Sequence, residues 1–141
     1  MTVKRVRRSE TRYHSAACGS SGVKLAGLAV WPASGIASRI ARSTIRSDRL
    51  WVVNDGGSPP VLHAVGLDGR DQGSLRLEAA SNLDWEAVAS FELRGKSWLL
   101  VADAGDNTAN RDHSSIYVVE EPALEDGEDA VASPEWTMSF R

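Results

Sequence analysis

The chain reads as an all-β protein made of about two four-stranded, propeller-type blades, and three observations predict this. Short apolar runs rich in Val, Ile, Leu and Trp recur between clusters of Gly, Pro, Asn, Asp and Ser, the pattern of successive strands and turns. No segment keeps a helical period over three turns. Three of the runs also repeat in the same order. Residues 34–38 (SGIAS) match 86–90 (EAVAS) at an offset of 52 (86 minus 34). Residues 50–55 (LWVVND) match 98–103 (WLLVAD) at 48 (98 minus 50), and 61–65 (VLHAV) match 116–120 (IYVVE) at 55 (116 minus 61). A unit of about 40–50 residues holding four strands is the size of a propeller blade.

Composition bounds the rest. With 141 residues, 42% hydrophobic and 25% charged, the chain has the make-up of one ordinary globular domain. A net charge of −3 argues against general nucleic-acid affinity. The charge is unevenly spread: Lys4, Arg5, Arg7, Arg8 and Arg12 load the N-terminus, while Glu120, Glu121, Glu125, Asp126, Glu128 and Asp129 load the C-terminal part. Residues 1–23 are expected to be a disordered, solvated basic arm. Cys18 is the single cysteine, so there is no internal disulfide and no CxxC zinc pattern. Residues 15–18 (SAAC) have the look of a lipoprotein processing site, but residues 1–14 are basic and polar and supply no apolar signal region. No run reaches the 18 or so apolar residues of a membrane-spanning helix.

Taken in order, 24–31 is an apolar run ended by Pro32 and suits an edge strand. Blade one covers about 34–78, with strands starting at Ser34, Leu50, Val61 and Ser74. Asp68-Gly69 and Asp71-Gln72-Gly73 supply a hairpin loop between its last two strands. Blade two covers about 84–141, with strands starting at Glu86, Trp98, Ile116 and Trp136. Residues 93–96 (LRGK) read as a hairpin turn, and 120–135, bordered by Pro122 and Pro134, read as an acidic surface loop. Closed propellers have about 4–8 blades, so the expectation is an incomplete propeller. Its bare sheet edges would meet the remaining blades or another chain. Trp51, Trp85 and Trp98 fall in or beside strands, where packing is the expected role.

The chemistry is concentrated in 82–107 (NLDWEAVASFELRGKSWLLVADAGDN). Asp84 and Glu86 enter one strand of the hairpin, and Asp103, Asp106 and Asn107 leave the other. Antiparallel pairing brings both ends to one lip. Carboxylates about 4 Å apart repel by roughly 1 kcal/mol per pair in water, so such a lip is either solvated or neutralised. Two readings stay open. Asp84, Glu86, Asp103, Asp106 and Asn107 offer the oxygen ligands that calcium takes, with Asn54-Asp55 at the repeat-equivalent place. The same side chains also cap turns by bonding to nearby backbone N–H groups. Residues 103–107 (DAGDN) are not an EF-hand loop. Arg111 and His113, in the loop after Asp106, are the candidates for binding a substrate phosphate, with Arg70 and Lys96 the other nearby basic residues. His63 lies within an alternating strand and reads as a packing or solvent-facing residue. No GxSxG motif is present and no nucleophile with a visible base can be assembled.

Residues 33–38 (ASGIAS), 50–56 (LWVVNDG), 84–89 (DWEAVA), 102–107 (ADAGDN) and 116–122 (IYVVEEP), in that order, resemble the N-terminal blades of bacterial β-propeller proteins of the esterase-like phytase type. The resemblance covers about residues 33–122 and implies a closed propeller of around six blades, an exported protein, and calcium at acidic loops in some relatives. It does not imply an established reaction, and residues 1–30 lack the export signal it calls for. Three functional expectations follow. The first is a non-enzymatic propeller-type binding or scaffold module with a calcium site. The second is a calcium-dependent phosphoesterase, and the third is a truncated remnant without independent function.

Overall fold

The computed structural model describes residues 3–7, 37–106 and 109–141, and these form ten strands and no helix. In chain order they are β1 (Val3–Arg7), β2 (Ala37–Arg42), β3 (Arg49–Asn54), β4 (Val61–Gly66), β5 (Asp71–Leu77), β6 (Trp85–Leu93), β7 (Lys96–Asp103), β8 (Ser114–Glu120), β9 (Glu128–Ala132) and β10 (Trp136–Phe140). Two sheets result, one ordered β1-β9-β5-β4-β3-β2 and the other β10-β8-β7-β6. Each contains a four-stranded antiparallel meander, β2 to β5 in the first and β6, β7, β8 and β10 in the second.

The turns follow from local chemistry. Between β6 and β7, Arg94 and Gly95 both have positive φ (53° and 72°), the two-residue geometry whose twist matches that of paired strands. Between β4 and β5 the Asp68 carboxylate accepts the Arg70 backbone N–H at 3.1 Å, and Gly69 takes φ 84°. Asp71-Gln72-Gly73, expected in the loop, is the start of β5 instead.

The sequence repeat is a repeat of register in its second and third strands. Val53 pairs with Leu62 in the first sheet, and their counterparts Val101 and Tyr117 pair in the second. The first strands obey a different spacing. Ile40 pairs with Val52 and Ala89 with Leu100, the counterpart of Val52, so the offset is 49 (89 minus 40) rather than 52. It becomes 50 (87 minus 37) where Ala37 pairs with Asn54 and Ala87 with Ala102. Irregular pairing near Ser38 accounts for the one-residue change from 49 to 50, as a bulge does.

Two expectations are corrected. Residues 120–135 are not simply a surface loop: they contain β9, whose Glu128, Ala130 and Ala132 are buried while Asp129 and Val131 are half-buried. This is the period-two pattern of a strand, carried here by acids and alanines. β9 leaves the second sheet and lies parallel to β5 in the first, with Gly73 opposite Glu128. A Cβ on Gly73 would collide with the Glu128 carbonyl, so glycine lets β9 approach. Within the stretch expected to be an arm, Val3–Arg7 forms β1 and pairs with β9. Of the first strand of blade one, Ala37–Arg42 is described, and its expected start at Ser34 lies outside the described residues. The edge strand expected at 24–31 lies outside the described residues.

The two sheets share one core. Trp51, Val53, Leu62, Ala64, Leu75, Leu77, Ala130 and Ala132 from the first meet Trp85, Leu99, Val101, Tyr117 and Val119 from the second, with Leu124 from the connection. Since Trp51, Val53 and Leu62 are the counterparts of Leu99, Val101 and Tyr117, like faces of the two meanders point into the same core. Trp51 and Trp85 are fully buried and Trp98 nearly so, which is the packing role.

Polar groups inside this core are paired, as burial requires. The Glu121 carboxylate accepts from Trp51 Nε1 (2.8 Å), Thr44 N (3.0 Å), Thr44 Oγ1 (2.8 Å) and Ser43 Oγ. Arg49 donates to Gln72 Oε1 (3.0 Å) and to the Leu124 carbonyl (3.1 Å). These bonds stitch the first sheet to the segment that leads into β9. Among the described residues no helix is long and apolar enough to cross a membrane.

Candidate functional site

The lip of the β6–β7 hairpin does gather acids, though not the set that proximity in sequence selects. Asp55, Asp84 and Glu86 each bring a carboxylate oxygen within 4.8 Å of the others. Asp55 follows β3, while Asp84 and Glu86 flank Trp85 at the start of β6. Asn82 ties the two segments together. Its amide donates to the carbonyls of Asn54 (3.4 Å) and Asp55 (3.2 Å), its carbonyl accepts the Gly57 N–H (3.0 Å), and its Oδ1 accepts the Trp85 N–H (3.0 Å).

Asp84 is the centre of the group. Its backbone lies against Gly56 and its carboxylate against Gly105: a Cβ on Gly56 would sit 2.9 Å from Asp84 Cα, and one on Gly105 only 2.8 Å from Asp84 Oδ1 and nearer still to Cγ. Both positions require glycine for close approach, and together they confine the side chain. Burial pushes the Asp84 carboxyl above its ordinary range; Glu86, Asp55 and Asp103 add like-charge repulsion, and Arg111 pulls the other way. Asn54, next to Asp55, carries a buried side-chain oxygen without a hydrogen-bond partner, while its amide lies 3.5 Å from His63 Nε2.

Asp103 stands outside the group and is fully buried. Oδ1 accepts the Asp84 N–H at 2.8 Å and pairs with Arg111 Nη2 at 2.8 Å, and Oδ2 accepts the Leu83 N–H at 3.3 Å. Asp106 organises its own loop by accepting the N–H groups of Asn110 (3.0 Å) and Arg111 (3.1 Å). Asn107 lies outside the described residues. Arg111 is a structural tie: besides Asp103 it reaches the carbonyls of Gly105 (2.8 Å) and His113 (2.8 Å), and its side chain is 12% exposed. His113 is exposed beside it.

The lip thus divides into two solutions of one electrostatic problem. Asp103 is neutralised by a guanidinium and backbone donors. Asp55, Asp84 and Glu86 are brought together with mutual repulsion. Oxygens that all lie within 4.8 Å of one another can share one cation at the 2.3–2.6 Å ligand distances of calcium. The signal that could have found Asp55 is the repeat, which puts it at the position of Asp103. No family model, no curated protein and no solved structure matches this chain.

Proposed function

We propose that this chain is a non-enzymatic all-β binding or scaffold module in which Asp55, Asp84 and Glu86 hold a divalent cation, calcium by the chemistry of the ligands. The observation that carries the reading is the convergence of three half-buried carboxylates around an Asp84 confined by two glycines. A cation shared by these oxygens would offset the like-charge repulsion that Glu86 and Asp55 exert on Asp84. Hard oxygen donors without nitrogen or sulfur favour calcium or magnesium, and three carboxylates leave coordination positions for carbonyls and water.

The phosphoesterase reading has less support. Of the candidate phosphate-binding residues near these loops, Arg70 is ion-paired with Asp68 at 2.6 Å, Lys96 with Glu120 at 2.9 Å and Arg111 with Asp103 at 2.8 Å, which leaves the exposed His113. Two meanders with a repeated register are common to a pair of propeller blades and to a two-sheet sandwich. Consecutive blades related by rotation about one axis would bring unlike faces together, whereas here like faces meet. We therefore take the module as a sandwich-type pair of sheets.

Thermal melts with calcium and then with chelator test the cation. At 100 times Kd, binding adds about 2.7 kcal/mol to the folded state, and Glu86→Gln is expected to abolish the gain. No shift in the wild-type chain, or an equal shift in Glu86→Gln, would remove the cation from this site.

A further inference from the structure

β10 is the outer strand of its sheet, and among the described residues no strand pairs with its free edge. Exposed edges are normally blocked by charges, prolines or bulges. The β10 sequence, WTMSF, contains no charge and no proline, and it pairs with β8 without a register shift. Trp136, Met138 and Phe140 are 44%, 47% and 48% exposed. They share one face, the face of Val118, which is opposite to the core residues Tyr117 and Val119. Trp136 is held in place by the Trp98 ring, 4.6 Å away between centroids.

The strand is also complementary to itself. In an antiparallel pair centred on Met138, Trp136 stands opposite Phe140 of a second copy, Thr137 opposite Ser139, and Glu135 opposite Arg141. Symmetry makes every such pair twice. Two aromatic pairs therefore form on one face and two opposite-charge pairs close the ends, the cross-strand combinations that stabilise a sheet. Glu135 and Arg141 are both exposed.

We propose that β10 is a homodimerisation edge: the β10 strands of two copies pair antiparallel about a two-fold axis at Met138, with Glu135 of each facing Arg141 of the other. The pairing joins two four-stranded sheets into one. Its occupant is a second copy, because the strand is complementary to itself in aromatic pairs and in end charges when paired about Met138. The inference is independent of the cation reading.

Light scattering and sedimentation on the full chain over a concentration series test it. The wild-type chain is expected to dimerise. Glu135→Arg alone or Arg141→Glu alone sets like charges opposite one another twice and should weaken association about tenfold. The double swap Glu135→Arg with Arg141→Glu should restore it, and Met138→Lys, which opposes two ammonium groups at the axis, should abolish it. A chain that stays monomeric at every concentration overturns the proposal. So does a dimer indifferent to the single swaps, or one the double swap fails to restore. If Met138→Lys does not fold, the exposed charge swaps decide alone.

Discussion

Replacing Arg111 by Ala is expected to be among the most damaging single changes at the lip, for a reason unrelated to substrate. Asp103 is fully buried, and Arg111 is the cation that compensates it, at 2.8 Å. With Arg111 removed, the carboxylate keeps only the N–H groups of Leu83 and Asp84. Breaking a buried pair from one side costs about 3–5 kcal/mol. The Arg111 side chain is only 12% exposed, so solvent screening discounts this little. The change also frees the carbonyls of Gly105 and His113, but these are near enough to the surface for water to replace the donors. Against a typical total stability of about 5–15 kcal/mol, the loss would take a large share. Urea unfolding followed by circular dichroism measures it. Arg111→Lys keeps the charge but not the three-way fork and should recover less than half of the loss. Arg111→Ala combined with Asp103→Asn should cost clearly less than the two single changes together, because the stranded charge is gone. A shift below about 0.5 kcal/mol for Arg111→Ala, the usual range for surface changes, would refute the burial argument.

Two further outcomes bear on the acidic group. Gly105→Ala drives a methyl group into the Asp84 carboxylate and should cost about 1–3 kcal/mol, as overpacking does; in an Asp84→Ala background the cost should nearly vanish, and equal costs in both backgrounds would mean the clash is relieved elsewhere. Asp84 has a raised folded-state pKa, so its favourable contribution is present below the unfolded value of about 3.9 and lost as pH rises through the folded value. Without calcium, Asp84→Asn should therefore stabilise the chain at pH 7, by about 1 kcal/mol for a relieved like-charge contact. The advantage should shrink on acidification through that window, and a difference constant with pH in chelator-containing denaturation would rule the reasoning out.

Much of the fold was legible because periodicity and turn chemistry are local. The runs at 50–53, 61–65, 98–102, 116–119 and 136–140 fall within β3, β4, β7, β8 and β10, and Arg94-Gly95 makes the expected turn. β9 was missed because its inward positions are Glu128, Ala130 and Ala132, so no hydrophobic alternation announces it. The offset of 52 differs from the paired register of 49 because matching by residue type does not say which strand positions lie opposite one another. At the lip, Asp84 and Glu86 were found by composition, but the fate of each acid depended on three-dimensional donors. Asp103 meets backbone N–H groups and a guanidinium, whereas the equivalent Asp55 turns toward Asp84. Two acids at equivalent repeat positions thus acquire different chemistry from the loops around them.

The passage of β9 from one sheet to the other has a consequence for how the chain is assembled. The second meander is joined by neighbouring strands except for its last, and its pairings are local. The first sheet is completed only through β9: Ser74 pairs with Asp129, 55 positions on, and Arg5 with Ala130, 125 positions on. Loop closure grows only logarithmically, so the longer of these spans costs less than about 1 kcal/mol more than the shorter. The burden falls instead on order of events, since non-local pairing slows folding. β9 is the keystone on which the N-terminal strand and the edge of β5 both lean. A proteolytic nick in the 121–127 connection would release that keystone from its covalent tether to β8 while leaving the pairing of β6, β7 and β8 intact.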